Sequence, residues 1–331
     1  MLVMSRPIKP IGIFYEHPTW FNPLFAELEK RKIPFAGIAA ESHQYDPLEK
    51  DPPFSLFINR MSSSAHLRGH VQGYFHVTNY LYHLERLGVA VINGLAAQQI
   101  ESSKAKQLAL LSGLGLKFPK SKVVNHIDQI ISAAHTLRFP IVVKANIGGS
   151  GAGIVRFDTL KGLQQAIASQ QIHLGIDHTA LVQEYLVPKG GHIVRVETLN
   201  KKFLYAIKVH TTGESFNLCP AELCQVPSPT DAQACLTEAP RKGIKVEAYT
   251  PSTEIIEAVK RIAEAAQLDL GGIEYLVSEA DDDIYFYDIN ALSNFVADAI
   301  NVVGFNPYVN FVDYIEERLA EVHQSQNELV A

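Results

Sequence analysis

The stretch Gly271–Asn294, GGIEYLVSEADDDIYFYDINALSN, decides how this chain folds. β-Branched and aromatic residues on either side of a polar break predict two strands, Gly272–Ser278 and Ile284–Asn290, joined by the acidic turn Glu279–Asp283. With Ser278 opposite Ile284, Glu274 stands directly across from Asp288. Strand alternation then puts Asn290 on the face of Asp288 and sends Tyr285, Tyr287 and Ile289 to the other side. Like charges directly opposite on a sheet repel one another. Two carboxylates and an amide oxygen are ligands for a hard dication such as magnesium, which keeps room for water and phosphate oxygens. A solvated hairpin with scattered acids is the competing reading, and the rest of the chain weighs against it.

Working outward, 331 residues exceed one typical core and predict two or three domains. A hydrophobic fraction of 47% with 19% charged residues is that of a folded globular protein. The net charge of −6, without any dense run of Lys and Arg, predicts no nucleic-acid or anionic-membrane partner. No apolar run is long enough to span a bilayer and no signal segment opens the chain, so a cytoplasmic setting is expected. Cys219, Cys224 and Cys235 lack zinc or disulfide spacing and read as reduced thiols.

Short strands alternating with helices across residues 1–100 predict a small α/β domain. Its helices are expected near Pro23–Lys32 and Tyr74–Leu87, the latter ending at Gly88. Tyr74, Phe75, Tyr80 and Tyr82 read as core and interface rather than as a ring-stacking box. Ser102 or Ser103 caps the next helix, and Lys104 sits in its first turn, where the helix dipole prefers an acid; that placement hints at another task for the lysine. A strand Ile141–Lys144 then runs into Asn146–Gly153, NIGGSGAG, with a further strand beyond it. Such a flap, with Gly148, Gly149, Ser150 and Gly151, lets backbone N–H groups approach an anion. It is neither a Walker loop nor a Rossmann turn, because no Lys-Ser/Thr follows and a strand, not a helix, comes next. A strand ending in Gln183-Glu184 leads to a hinge around Leu186–Gly191. Beyond it lie a hairpin around Asn200-Lys201, an irregular segment over 210–248, a helix capped by Thr250 with Pro251 at its start, the acidic hairpin, and a final amphipathic helix carrying Val309, Val312, Ile315 and Leu319.

Taken in order, Lys104, Lys144 with its flap, the Gln183-Glu184 strand end and the Glu274/Asp288/Asn290 face amount to a nucleotide site: lysines neutralise phosphate, the flap donates N–H groups, and a metal bridges. The chain resembles the ATP-grasp superfamily, most closely its RimK-type amino-acid ligases. The likeness is carried by Asn59-Arg60-Met61, Gly88–Gly94, Ser103-Lys104, Ile141–Lys144, Val182–Leu186, Ala206–Lys208, Ser215–Leu218 and Asp288–Asn290. It implies a three-domain ATP-grasp fold of α/β (α+β) class: an N-terminal domain over 1–100, a central ATP-grasp subdomain over 101–187 and a C-terminal one over 188–331. It further implies ATP with Mg2+, or Mn2+ in its place. Lys104, Lys144, Lys208 and Asn217 would serve the nucleotide, Gln183, Glu184, Tyr185 and Leu186 would meet the adenine, and Glu274, Asp288 and Asn290 would hold the metal. The chain departs from the family pattern at Asp288, where Glu is usual, at Ile193 ahead of Arg195, at Ser215, and over Ala291–Asn294. The last two departures fall where a substrate would lie.

The chemistry implied is an ADP-forming carboxylate-amine ligation through an acyl phosphate, with Arg195 stabilising charge and Arg60 and Arg68 clamping a substrate carboxylate. The partners are a small carboxylic acid and an amine or amino acid, free or carried on a peptide or carrier protein, and relatives suggest a homo-oligomer, dimer or tetramer. A kinase acting on a hydroxyl and a non-catalytic nucleotide-binding module are the alternatives. His66 and His70, four residues apart, are a weaker metal pair with no third ligand, and Asp281–Asp283 read as a solvated turn.

Overall fold

The computed structural model describes residues 9–17, 19–149, 151, 153–210 and 245–330. In chain order the elements are β1 (Ile11–Tyr15), α1 (Asn22–Lys30), β2 (Phe35–Ala39), β3 (Leu56–Arg60), a 3-10 turn (Ser63–Arg68), α2 (Val71–Arg86), β4 (Ala90–Ile92), α3 (Leu95–Glu101), α4 (Lys104–Gly113), β5 (Ser121–Val124), α5 (Gln129–Ala134) and β6 (Ile141–Ala145). They continue as β7 (Val155–Phe157), α6 (Leu160–Ala168), β8 (Ala180–Glu184), β9 (His192–Leu199), β10 (Lys202–His210), β11 (Val246–Tyr249), α7 (Thr253–Ala265), β12 (Leu270–Val277), β13 (Ile284–Asn290), α8 (Ala299–Val303) and α9 (Pro307–Val330). The class is mixed α/β, as expected. Among the described residues no helix is long and apolar enough to cross a membrane.

The chain divides into two compact units, one running to Gln98 and resuming at Asn306, the other Gln99–Phe305. In the first, β2-β1-β3-β4 form a parallel sheet. Its inner strands are continuous apolar runs because helices cover both faces of such a sheet; Ile11, Ile13, Phe14 and Leu56–Ile58 are all buried. The last helix belongs to this unit and not to the 188–305 region it follows in sequence. Arg31, at the end of α1, donates to Asp313 (2.6 Å), Glu316 (2.8 Å) and the Val309 carbonyl (3.1 Å), while Phe311, Val312 and Ile315 turn inward. An amphipathic period shows that a helix has a buried face, not which sheet receives it.

The second unit holds two antiparallel sheets, β5-β8-β6-β7 and β11-β10-β9-β12-β13. The first packs α5 and α6 over a core that includes Ile130, Ala134, Ile141, Val143, Leu163 and Val182. In α6 the Thr159 hydroxyl accepts from the Gly162 N–H at 3.2 Å, as the capping residue should. α7 starts later than its Thr250-Pro251 signal suggests: Ser252, with extended φ/ψ of −63° and 159°, is the cap position and Thr253 the first helical residue. Ile255, Val259 and Ile262 form its buried face.

Candidate active site

The second unit's larger sheet brings three strands side by side at one level. Arg195 on β9 pairs with Glu274 on β12, and Glu274 with Asp288 on β13. One step along, Glu197, Gly272 and Asn290 line up in the same way. The opposition of Glu274 and Asp288 expected from the hairpin is therefore present. The register nearer the turn is not: Val277, rather than Ser278, faces Ile284, and a bulge between Glu274 and Tyr275 restores the pairing by leaving Tyr287 as an extra residue on β13. The bulge also overturns the assigned face of Tyr287. Burial and the neighbouring Glu274 and Asp288 carboxylates drive the pKa of its hydroxyl well up, which puts Tyr287 on their side of the sheet.

Arg195 is 1% exposed and spans two carboxylates, Nε to Glu197 Oε1 at 2.6 Å and Nη1 to Glu274 Oε1 at 2.9 Å, with Nη2 3.5 Å from Ser293 Oγ. Gly272 makes room for this: a Cβ there would lie 2.3–2.6 Å from the guanidinium atoms.

Lys104 reaches the same face from the first turn of α4, its Nζ 2.5 Å from Asp288 Oδ1. The Ser103 hydroxyl caps that helix through the Lys106 N–H (3.2 Å), as expected. Asn146, just past β6, reinforces the cap: its Oδ1 accepts from the Ala105 N–H (2.9 Å) and the Ser103 hydroxyl (3.1 Å), its carbonyl accepts from the Lys104 N–H (3.2 Å), and its Nδ2 donates to Asp177 (2.7 Å). The start of the flap and the helix that presents Lys104 are thus one assembly. From inside it, the Gln107 amide grips β13, Nε2 donating to the Ile289 carbonyl (2.8 Å) and Oε1 accepting from the Ile289 N–H (3.2 Å). Glu101 Oε2 accepts the Ala291 N–H at 2.6 Å.

Burial and the Asp288 charge push the Glu274 carboxyl up, against Arg195 and the Tyr287 hydroxyl. Burial also opposes ionisation of Asp288, but Lys104, Lys144 and Arg195 outweigh it and hold that carboxyl below its ordinary value. For Lys104 the desolvation cost is exceeded by Asp288, Glu274 and Glu101, which keep it charged. Lys144, 6% exposed on β6, is pushed down to about 7 by burial and by Lys104, with Asp288 and Glu274 pulling the other way. Lys104, Lys144, Arg195, Glu274, Asp288 and Tyr287 therefore form one electrostatic cluster.

The oxygen set fits a hard dication. Asn290 Nδ2 points to Glu274 Oε1 (3.3 Å) and the Gly272 carbonyl (3.5 Å), which leaves its Oδ1 as the third oxygen beside two carboxylates. Among the described residues no three His, Cys, Asp or Glu gather to hold a metal.

Other expected residues are placed differently. Lys208 pairs with Val194 and so lies on the face opposite Arg195, its Nζ 4.5 Å from the Tyr249 ring centroid. Gln183 is buried on β8 and donates to Ser121 Oγ at 2.7 Å, and Glu184 is held by Arg138, from its N–H (2.9 Å) and Nη2 (3.0 Å). The backbone there is engaged as well, the Glu184 N–H donating to the Lys120 carbonyl and the Tyr185 N–H to that of Pro140, at 2.9 Å each. The Arg156 guanidinium covers the Tyr185 ring at 4.6 Å, and Leu186 is half-buried. Gly148 and Gly149 open the flap, and Gly151 adopts φ of 72°, the left-handed region that glycine allows. Ser150 and Asn217 lie outside the described residues, as do the three cysteines.

In the first unit Arg60 is 2% exposed at the end of β3, with the Phe21 and Phe311 rings at 5.2 and 5.8 Å. Arg68 is bound to Glu16 and donates to Ser64 Oγ (3.2 Å), 4.6 Å from the Trp20 ring. The His66/His70 pair is not a metal face: Gly69, at φ of 84°, breaks the helix between them. Nor is the acidic turn merely solvated. Asp281 accepts from Tyr285 (2.7 Å) and Asp282 from Lys189 (2.6 Å), and Asp283 pairs with Lys117.

A family model described as a RimK-like ATP-grasp domain matches residues 101–218. A probable alpha-L-glutamate ligase of Saccharophagus degradans is 28% identical over 135 residues, 40% of this chain and 44% of that protein. The chain spans about half the length of the curated relatives it matches. Among solved structures, the ATP-grasp ligase PsnB complexed with minimal precursor is similar at a TM-score of 0.65 with 18% identity, over 94% of this chain and 99% of that one. D-alanine–D-alanine ligase from Bacillus anthracis, complexed with ATP, gives 0.63 with 16% identity over 96% and 99%. Residues 101–218 thus match a RimK-like ATP-grasp domain, and the fold is similar to that of ATP-grasp ligases over nearly the whole chain.

Proposed function

We propose that this chain is an ATP-dependent, ADP-forming carboxylate-amine ligase. The observation that carries the reading is the convergence of Lys104 and Lys144 on the Glu274/Asp288 pair, with Arg195 locked beside it. Two lysines next to two carboxylates and an amide oxygen serve a polyphosphate and its metal at once. Glu274, Asp288 and Asn290 would hold Mg2+, or Mn2+ in its place, and the ion would neutralise phosphate charge and align the γ-phosphate. The lysines steady the phosphates, backbone N–H groups of the flap cover them and exclude water, and Arg195 offsets charge on the transferring group.

In the reaction read here, a substrate carboxylate oxygen attacks the γ-phosphorus and the bond to ADP breaks. An amine nitrogen then attacks the acyl carbon, phosphate leaves with the bonding pair, and the nitrogen gives up a proton. In the N-terminal unit the crevice at the carboxyl ends of β1 and β3, where the strand order reverses, is the place for a substrate. Glu16, Ser64 and Arg68 are bonded together there, with Trp20 beside them. The acid and the amine or amino acid are small molecules or parts of a peptide; the PsnB structures hold a precursor peptide. A cytoplasmic, homo-oligomeric enzyme completes the reading.

The test follows ADP and phosphate together, with ATP, Mg2+ and pooled carboxylic acids, with and without pooled amines or hydroxylamine. Phosphate matching ADP only when acid and nucleophile are both present is the expected result. ADP without phosphate would mean transfer to a hydroxyl, and nucleotide binding with neither product would mean a binding module.

A further inference from the structure

The connection between β2 and β3 and one flank of α2 line a cavity of about 350 Å3 in the N-terminal unit. That volume is within the range of small-molecule sites. Its walls are rings: Tyr45 lies 4.9 Å from both Tyr80 and His83, and His43 lies 4.3 Å from Tyr80. Leu84 and Leu87 supply an apolar lining, and Asp46 and Glu49 supply charge.

The polar groups in this cavity are unevenly committed. His43 is engaged, its Nδ1 2.9 Å from His76 Nε2, and burial with the neighbouring imidazole pushes its pKa down to about 4, so it adds no positive charge. Tyr80 is 4% exposed, yet among the described residues its hydroxyl has no hydrogen-bond partner, and neither the Tyr45 hydroxyl nor the His83 imidazole has one. Asp46 Oδ1 accepts from the Leu48 N–H (2.9 Å), and Glu49 Oε1 from the Lys50 and Asp51 N–H groups (3.0 Å each), which fixes both carboxylates while leaving one oxygen of each. Among the described residues no Lys or Arg lines the cavity.

We propose that this cavity binds an organic cation, a primary ammonium on an aliphatic stem. Aromatic faces attract an ammonium, and more strongly where water is excluded. The leucines accept the methylene stem, the hydroxyls and the carboxylate oxygens accept the N–H bonds, and the apolar lining disfavours an anion. The inference does not depend on the ligase reading, because it uses none of the residues that carry that reading.

Calorimetric titration of the intact chain with 1,4-diaminobutane and with Nα-acetyl-lysine methylamide separates a free diamine from a lysine carried on a peptide. His83 ring resonances are followed in parallel. Saturable binding of at least one amine with a shifted His83 signal is expected. So is a loss of affinity of about tenfold both in Tyr45→Leu and in the double variant Asp46→Asn, Glu49→Gln. Asp46 and Glu49 are exposed, so the double variant keeps the fold and the test stands even if Tyr45→Leu does not fold. The proposal is overturned by no saturable binding of either amine, by equal binding of the uncharged Nα-acetyl-norleucine methylamide, or by unchanged affinity in the double variant.

Discussion

Substitution of Gly272 by Ala tests the row of charges across β9, β12 and β13. The added methyl would sit 2.3 Å from Arg195 Nη2, 2.5 Å from Cζ and 2.6 Å from Nε, closer than any stable contact. Strand pairing holds the backbone on both sides, so the guanidinium has to move, giving up Nε to Glu197 and Nη1 to Glu274 together. Both carboxylates are 5% exposed or less, and stripping the partner from a buried ion pair costs about 3–5 kcal/mol. For a unit of this size that is a fall of roughly 6–20 °C in Tm. Urea unfolding reads the same quantity from the midpoint at constant slope. Gly113→Ala is the internal control, since a Cβ there meets nothing within 4 Å; it should stabilise by about 0.4–1 kcal/mol. A Gly272→Ala variant within 1 kcal/mol of the parent would refute the claim that Arg195 is locked by its two carboxylates.

Other substitutions probe the neighbours. Lys144 has a folded-state pKa of about 7, below its unfolded value, so the unfolded chain binds more protons between that pH and about 10.5. Its contribution is therefore present above the unfolded pKa and lost as pH falls toward 7, and Lys144→Met should flatten the rise of stability with pH across that window in denaturation midpoints. Gln107→Leu strips the Ile289 N–H and carbonyl of side-chain partners and should cost roughly 2–3 kcal/mol in urea unfolding; a loss under about 0.5 kcal/mol would mean the grip on β13 is dispensable. Lys104→Met takes the ammonium off Asp288, so Mn2+ binding without nucleotide, read by electron paramagnetic resonance, should tighten about tenfold, equivalent to roughly 1.4 kcal/mol, while ATP binding weakens. Unchanged Mn2+ affinity would show that lysine and metal do not compete for that carboxylate.

The parts of the site legible in the sequence are those set by local rules. A turn flanked by alternating residues placed Glu274 against Asp288, and Ser103 ahead of Lys104 marked a capped helix whose first turn carries the wrong charge for its dipole. The rest depends on contacts no local pattern encodes. Tyr287 changed face because one extra residue bulges from β13, and bulges have no clear signature among aromatic and β-branched residues. Glu197 sits two residues beyond Arg195, which alternation alone could have put on the same face, but its burial and its bond to Arg195 come from strand pairing with β12. Gln107 and Asn146 matter through bonds to elements 182 and 41 residues away. The domain assignment of α9 failed to follow from chain order for the same reason: the helix buries Phe311, Val312 and Ile315 in the first unit and is bonded by Arg31 of α1, none of it a neighbour in sequence.

The charges of the site explain one another. Arg195, Lys104 and Lys144 stand against Glu197, Glu274 and Asp288, and all but the Lys104–Asp288 pair are nearly inaccessible to water. Buried ions persist only when paired and hydrogen-bonded, so the cluster constrains what can enter it. A polyphosphate alone would draw both lysines and leave the carboxylates short of countercharge; a dication alone would meet carboxylates that Arg195 and Lys104 already hold. Entry of the two together keeps every charge paired, with lysines on phosphate and metal on carboxylate. Nucleotide and metal should therefore bind cooperatively: titrating Mn2+ at rising concentrations of a non-hydrolysable ATP analogue should show its affinity climbing, beyond what Mn2+–nucleotide association in solution supplies. Independent binding would mean that the lysine–carboxylate contacts do not have to be exchanged, and that the cluster is a structural ion-pair network.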